Sequence, residues 1–278
     1  MTSEKMVDEV KARLGFAIRT AREAGALTLR YFQQTSLDVE RKTDRSPVTR
    51  ADLEAEHLIR QSLANTFSAD GIIGEELGNQ EGSTGYTWYL DPIDGTESFI
   101  RGVPLYGTMI GLEHDEESVA GVIVFPALGE LVYGGHGGGT WYATGQDISL
   151  GSRHEDQPRV QVARVSKTDS LGDACFSTTS VQGFDDIGQR TGFDRLHSSV
   201  RVSRGWTDCY GHYLVATGRI DVMVDPIMSV WDNAPLKPIV EGAGGRFTSL
   251  TGGSTIHAGS ALSTNGILHG EVLSAING

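Results

Sequence analysis

The sequence of 278 residues predicts an α/β (α+β) fold. Three observations carry that expectation. An amphipathic period opens the chain, residues 105–145 break into short apolar runs separated by turn residues, and strand-like and helix-like stretches alternate from 159 onward. The composition is that of a globular chain, with 38% hydrophobic and 21% charged residues, and no apolar run approaches the roughly 20 residues of a membrane span.

Met6, Val10, Leu14, Ile18, Ala21, Leu29 and Phe32 follow a period near 3.6, which predicts one long helix over 4–33 with a single face on a sheet. "SLDVERK" reads as a short strand. "SPVTRADLEAEHLIRQSL" reads as a helix opened by Thr49, with Asp52 at capping-box spacing. "DGIIGEELG" reads as a strand running into a loop. "GTMIGLEH", "SVAGVIVFP", "GELVYGG" and "GTWYATG" predict antiparallel hairpins, with "GGHGGG" as a hairpin turn because no Lys-Ser/Thr follows it. Beyond a polar stretch at 151–159 come "RVQVARV", "ACFSTTS", a helix near 207–218, the strand "IDVMVD", a helix from Asp232 to about Ala243, and "GGRFTSL". The one candidate boundary is near 150–158. Without repeats or a long linker, the expectation is a single domain over 1–278. Its N-terminal α+β half (about 1–150) and C-terminal α/β half (about 158–278) share one site.

The net charge of −13 and the absence of a basic run argue against a nucleic-acid partner. Two cysteines, Cys175 and Cys209, are too few for a disulfide framework or a CxxC metal site. The N-terminus lacks the apolar core of a secretory signal, so a cytoplasmic location without a membrane partner is expected.

The chemistry concentrates in "WYLDPIDGTESF". Pro92 cannot donate to a sheet ladder, so the strand is expected to stop at Asp91 and turn, aiming Asp91, the Ile93 carbonyl and Asp94 at one point. Gly95 permits close backbone approach, and a helix beginning at Thr96 offers free N–H groups for an anion. Glu75 follows a strand and Asp232 stands at a helix start. Taken singly, each position has a plainer explanation: Asp91 and Asp94 suit a turn, Asp232 and still more Asp52 suit a cap, and Glu75 and Glu76 suit a solvated loop. Carboxylates about 4 Å apart repel by roughly 4 kcal/mol per pair at an effective dielectric near 20, so only cations or protons could hold such a group together. All-oxygen donors favour Mg²⁺ or Mn²⁺ over Zn²⁺.

The order Asp52, Glu75-Glu76, Asp91-Pro92-Ile93-Asp94-Gly95-Thr96, Trp231-Asp232 and Gly244-Gly245 resembles the signature of the inositol monophosphatase family of Mg²⁺-dependent phosphatases. "SPVTRADLEAE", "GVPLYGTMIGL" and "LVATGRIDVMVD" extend the resemblance over nearly the whole chain. It implies a layered αβαβα sandwich, a homodimer and two or three Mg²⁺ ions, Mn²⁺ being an alternative. Glu75, Asp91 and the Ile93 carbonyl would hold one ion, and Asp91, Asp94 and Asp232 a second. Glu75 and Thr96 would activate water, Asp52 joins them as a catalytic candidate, and Asp94, Gly95, Thr96 and Asp232 would meet the substrate. Glu97 departs from the residue types usual at its position in relatives.

"RGWTDCYGHYLVATGRIDVMVDP" resembles the family's histidinol-phosphate phosphatase branch, with Thr207 where Gly is usual. The resemblance therefore implies hydrolysis of L-histidinol phosphate in histidine biosynthesis, with Arg204 touching phosphate or pairing with Asp208, and Asp225 accepting from the substrate amine or imidazolium. Trp206, Cys209, Tyr210 and Tyr213 read as core more readily than as a substrate wall. Inositol 1-phosphate and adenosine 3′,5′-bisphosphate remain alternative substrates. Two other classes stay open: a haloacid-dehalogenase-type phosphatase, whose motif aspartates are two apart rather than three, and a non-catalytic cation-binding scaffold.

Overall fold

The computed structural model describes residues 3–34, 39–41, 47–135, 137–145 and 160–278. In chain order the elements are α1 (Ser3–Thr28), β1 (Val39–Arg41), β2 (Pro47–Thr49), α2 (Arg50–Thr66), β3 (Gly71–Gly74), β4 (Gly78–Gln80), β5 (Tyr86–Asp94), α3 (Thr96–Ile100), β6 (Gly107–His114), β7 (Glu117–Phe125), β8 (Glu130–Gly135) and β9 (Gly139–Ala143). They continue with β10 (Gln161–Val162), β11 (Cys175–Ser177), α4 (Val181–Asp186), α5 (Arg190–Ser199), β12 (Val202–Arg204), α6 (Asp208–Ala216), β13 (Val222–Asp225), α7 (Val230–Gly242), β14 (Arg246–Thr248), β15 (Ala261–Thr264) and α8 (His269–Asn277). No helix among the described residues is long and apolar enough to cross a membrane.

Two large sheets organise the chain. The first has eight strands in the order β10-β9-β8-β7-β6-β5-β3-β4, antiparallel except where β3 meets β5. The second has five, in the order β12-β11-β13-β15-β14. α1 and α2 pack on one face of the first sheet, α6 and α7 lie between the sheets, and α4, α5 and α8 cover the far face of the second, giving an αβαβα sandwich. The central strands are apolar on both faces because both are covered. In β6, Ile110 and Leu112 join Trp88 and Phe16 beneath α1 and α2, while Met109 faces Tyr213 and Leu236 of the middle layer.

α7 joins the halves by very close packing. A Cβ at Gly121 would overlap the Pro235 carbonyl, and one at Gly111 would press on Ala234, so two glycines let the helix lie on the backbone of β6 and β7. Pro235 and Pro238 sit inside this helix. Pro238 has no N–H for the Ala234 carbonyl one turn earlier, and the Ser118 hydroxyl donates to that oxygen instead, at 2.6 Å.

Several boundaries differ from expectation. α1 ends at Thr28, not near 33: the Arg30 and Tyr31 amides switch to carbonyls three residues back, and Gln33 adopts φ 59°. β5 does not stop at Pro92 but runs on to Asp94 past a bulge, Asp91 pairing with Met109 and Asp94 with Gly107. α7 begins at Val230, ahead of Asp232. "RVQVARV" supplies only the two residues of β10. β2, β4, β12, β15, α4, α5 and α8 were not anticipated, being short or lacking an unbroken period. Part of "SLDVERK", His136 of "GGHGGG" and the boundary near 150–158 lie outside the described residues.

Gly121→Ala is expected to lower unfolding free energy by about 1–3 kcal/mol or more, since the overlapping atom is backbone and cannot rotate away; chemical denaturation measures it, and a loss under about 0.5 kcal/mol would contradict the packing described.

Candidate metal and active site

The β5 bulge builds the centre of the site. Pro92 and Ile93 are pushed out of the ladder, the Thr108 hydroxyl donates to the Pro92 carbonyl at 2.8 Å, and the Ile93 amide donates to Asp91 Oδ1 at 2.9 Å. One extra residue on β5, three steps from Asp91 to Asp94 against two from Met109 to Gly107, thus brings Asp91 and Asp94 to the same side. Asp232 comes from the third position of α7, where its Oδ2 accepts the Ser229 amide at 2.9 Å and its carboxyl also meets that of Asp91. Asp91, Asp94 and Asp232 each bring a carboxylate oxygen within 4.8 Å of the others.

Glu75 reaches this trio from the end of β3. Its amide donates to the Leu90 carbonyl at 3.1 Å, holding it beside Asp91 through the parallel β3–β5 pairing. Its charge is felt at Asp52, Asp91 and Asp232.

Crowded carboxyl groups shielded from water cannot all stay ionised. Burial, then Glu75, Asp94 and Asp232, pushes Asp91 well above the ordinary carboxylate range. Burial and then Asp232 raise Asp94 to about 7, and burial outweighs the Ser229 amide to raise Asp232 to about 7. Asp91 and Asp232 are close enough to share a proton. Asp52 is raised to about 6, chiefly by burial. Its Oδ2 completes the expected cap, accepting the Thr49 amide at 2.8 Å and hydroxyl at 2.6 Å, while its buried Oδ1 has no hydrogen-bond partner. An all-oxygen set in which charge is relieved by protonation, with an orphaned carboxylate oxygen beside Glu75, fits a hard divalent cation.

Around this centre the other expected residues divide. Thr96 opens α3, a helix of only five residues, and its hydroxyl donates to the Ile93 carbonyl at 3.0 Å. Gly95 adopts φ +85°, and a Cβ there would crowd the Asp208 carboxylate and the Leu105 carbonyl. Asp225 is 2% exposed. One of its oxygens accepts the Thr179 amide at 2.9 Å and the other lies 3.2 Å from His212 Nε2, whose ring is held from behind by Ser263 at 2.7 Å. It therefore braces the wall of the site instead of offering a free oxygen to a ligand. Arg204 neither reaches the acids nor pairs with Asp208: it is exposed and donates to the Ser203 carbonyl. Cys209 and Tyr213 are buried core residues, and Trp206 and Tyr210 pack partly buried beside them.

Asp208 is the residue that sequence reasoning undervalued. It takes φ +56°, a conformation that Asp and Asn tolerate better than other side chains but still at a cost. Its amide donates to Thr179 Oγ1 at 2.7 Å, the next amide, of Cys209, donates to Asp94 Oδ2 at 2.6 Å, and its carboxylate lies over Gly95. Desolvation, then Asp94, raises its carboxyl well above the ordinary range. The available signal was "TDC" directly before an apolar helix, which looks like any helix start.

The inositol monophosphatase family model matches residues 9–277. The chain is 42% identical to the histidinol-phosphatase of Chlorobaculum parvum over 95% of its own length and 96% of the relative's, and 38% identical to that of Mycobacterium tuberculosis over 95% and 97%. Among solved structures, the IMPase of Thermotoga maritima superposes with a TM-score of 0.80 at 28% identity, covering 96% of this chain and 97% of that one. The extragenic suppressor protein suhB of Bartonella henselae gives 0.82 at 25% identity, covering 96% and 98%.

Carboxyl groups raised from 3.8 to about 6 and 7 stay protonated in the folded chain after the unfolded chain has ionised. Their stabilising effect is complete below about pH 4 and is lost as pH rises through 7. Under chelation the melting temperature is expected to fall across that window, and excess Mg²⁺ to restore it near pH 8; a metal-independent profile would contradict the site.

Proposed function

Because the chain belongs to the inositol monophosphatase family, a metal-dependent family, and is a phosphatase, we propose that it hydrolyses L-histidinol phosphate to L-histidinol and phosphate in histidine biosynthesis, using Mg²⁺. The observation that carries the substrate is the seating of "RGWTDCYG" on the acids: Cys209 N–H on Asp94 and the Asp208 carboxylate over Gly95. Histidinol phosphate carries an ammonium group that inositol phosphate lacks, and Asp208 adds a further carboxyl group beside Gly95 and the three clustered acids, one that a neighbouring ammonium would favour in its ionised form. The two relatives named histidinol-phosphatase support the same choice.

In this reading Glu75, Asp91 and the Ile93 carbonyl would hold one ion, Asp91, Asp94 and Asp232 would hold a second, and a third would bind near Glu75. Bound divalent ions would supply positive charge to the phosphate and leaving oxygens and make water nucleophilic at neutral pH. Thr96 commits its hydroxyl proton to the Ile93 carbonyl, which leaves its oxygen to accept a hydrogen from the attacking water. Glu75 takes the other proton as oxygen attacks phosphorus and the ester P–O bond breaks; the leaving alkoxide takes a proton from solvent water and departs as the alcohol, and Glu75 returns its proton to solvent. The Gly95 and Thr96 amides donate to the phosphate, and Asp52 supports Glu75 from α2. No phosphorylated aspartate is formed. The family match over 9–277 leaves the haloacid-dehalogenase reading and the non-catalytic scaffold without support.

The same reading makes 1–278 one phosphatase domain, its halves joined where Asp91 and Asp94 meet Asp232. It also has the protein act in the cytoplasm as a homodimer without membrane or nucleic-acid partners, the last of which the charge of −13 supports.

Phosphate release from histidinol phosphate, inositol 1-phosphate and adenosine 3′,5′-bisphosphate, with and without Mg²⁺, tests the substrate: histidinol phosphate is expected to have the highest kcat/KM, and a poor showing removes it. Asp94→Asn is expected to reduce turnover about a hundred-fold or more with the fold intact by circular dichroism, whereas near-normal turnover would take Asp94 out of the metal site. Asp208→Asn keeps a residue that tolerates positive φ. It should lower kcat/KM for histidinol phosphate about ten-fold or more while leaving slow hydrolysis of a neutral-alcohol ester little changed, and equal losses on both esters would contradict an ammonium contact.

A further inference from the structure

α2 carries a second buried acid one helical turn after Asp52. Glu56 has 0% exposure, and both of its oxygens are engaged. Oε2 accepts the Glu76 amide at 2.8 Å, and Oε1 accepts the Leu77 amide at 3.2 Å and Arg60 Nε–H at 2.7 Å. The Arg60 guanidinium continues to the Gly78 carbonyl. The turn between β3 and β4 is thus clasped from the α2 side by one carboxylate and its arginine.

Glu75 is the residue immediately before the clasped amides, and its own amide is held on the opposite side by the Leu90 carbonyl. Gly74, just before it, fits the same arrangement: a Cβ there would overlap the Glu56 carboxylate and the Arg60 guanidinium, so the acid lies against bare backbone. Burying a carboxylate is costly unless it is paired and hydrogen-bonded, and an apolar residue would fill a purely structural position without that cost. Here every bond the acid makes goes to the turn carrying Glu75, or to the arginine that also binds that turn.

We propose that Glu56, assisted by Arg60, is a positioning residue that fixes the Glu75 backbone against Asp91, so that the divalent-cation site is formed before the ion arrives. The inference rests on Glu75 being a metal ligand, as read above. Pre-arranged donors bind an ion without first ordering a loop, and residues that orient ligands commonly change metal affinity or activity by about 10–100-fold when lost.

Mn²⁺ serves as the probe, titrated calorimetrically into the metal-stripped full chain. Glu56→Gln keeps the side chain's shape but loses its charge, and it is expected to weaken the tightest Mn²⁺ site about 10–100-fold. The Mg²⁺ concentration for half-maximal turnover should rise in parallel, with KM for the ester unchanged at saturating Mg²⁺. Ile59→Val, on the same helix but facing the core, should lower Tm and leave Mn²⁺ affinity alone. Wild-type Mn²⁺ affinity in Glu56→Gln overturns the proposal, and so does an equal loss in Ile59→Val, which would trace the effect to stability. Asp91→Asn is run alongside: if it binds Mn²⁺ as the wild type does, the metal-site reading itself fails and the positioning role with it, whereas weakening in Asp91→Asn but not in Glu56→Gln defeats the positioning role alone. Should Glu56→Gln not fold, Arg60→Gln replaces it, with a smaller loss of Mn²⁺ affinity expected and an unchanged affinity overturning the proposal.

Discussion

Mutual repulsion among buried carboxyl groups is the constraint on which this molecule turns. Asp91, Asp94 and Asp232 meet within 4.8 Å, with Glu75 and Asp208 close enough to raise their neighbours. Such a group is stable only when protons or cations neutralise it and when the surrounding backbone cannot relax to let the charges drift apart. Much of the fold can be understood as meeting the second condition. The β5 bulge is tied by Thr108, Asp232 by the Ser229 amide, Asp94 by the Cys209 amide, and the Glu75 turn by Glu56.

The layering follows from the same need. Asp91 and Asp94 belong to the first sheet, whereas Asp232 begins a helix that lies between the sheets, so the site exists only if that helix is seated at a fixed height. Glycines at 111 and 121 let α7 rest on backbone, where packing distance is set by atoms that have no rotamers. The Ser118 bond gives the Ala234 carbonyl the partner that Pro238 cannot supply. The buried His212 between Ser263 and Asp225 plays a comparable part on the other wall, using a polar chain to hold the Thr179 loop beneath Asp208.

Substrate choice and catalytic power occupy different parts of this design. The acids that would hold ions come from the first sheet and from α7, whereas the segment proposed to recognise histidinol phosphate arrives on the connection between β12 and α6. Asp208, held at φ +56°, is where backbone strain meets the proposed contact with the substrate ammonium. Its carboxylate lies against the glycine beside the clustered acids.

Read alone, the amino-acid order determined the fold class, the hairpins from 107 to 143, the Thr49–Asp52 cap and the closeness of Asp91 to Asp94, because period, turn chemistry and short acidic spacing are local properties. The family resemblance then joined positions that locality leaves unconnected. Tertiary structure alone decided that β5 passes through Pro92 on a bulge, that Arg204 points away while Asp208 points in, that Asp225 braces a wall, and that Glu56 clasps the turn after Glu75. Each of these depends on which backbone amide from a distant segment lies opposite a given oxygen, and that pairing comes into being only when the sheets and helices close on one another.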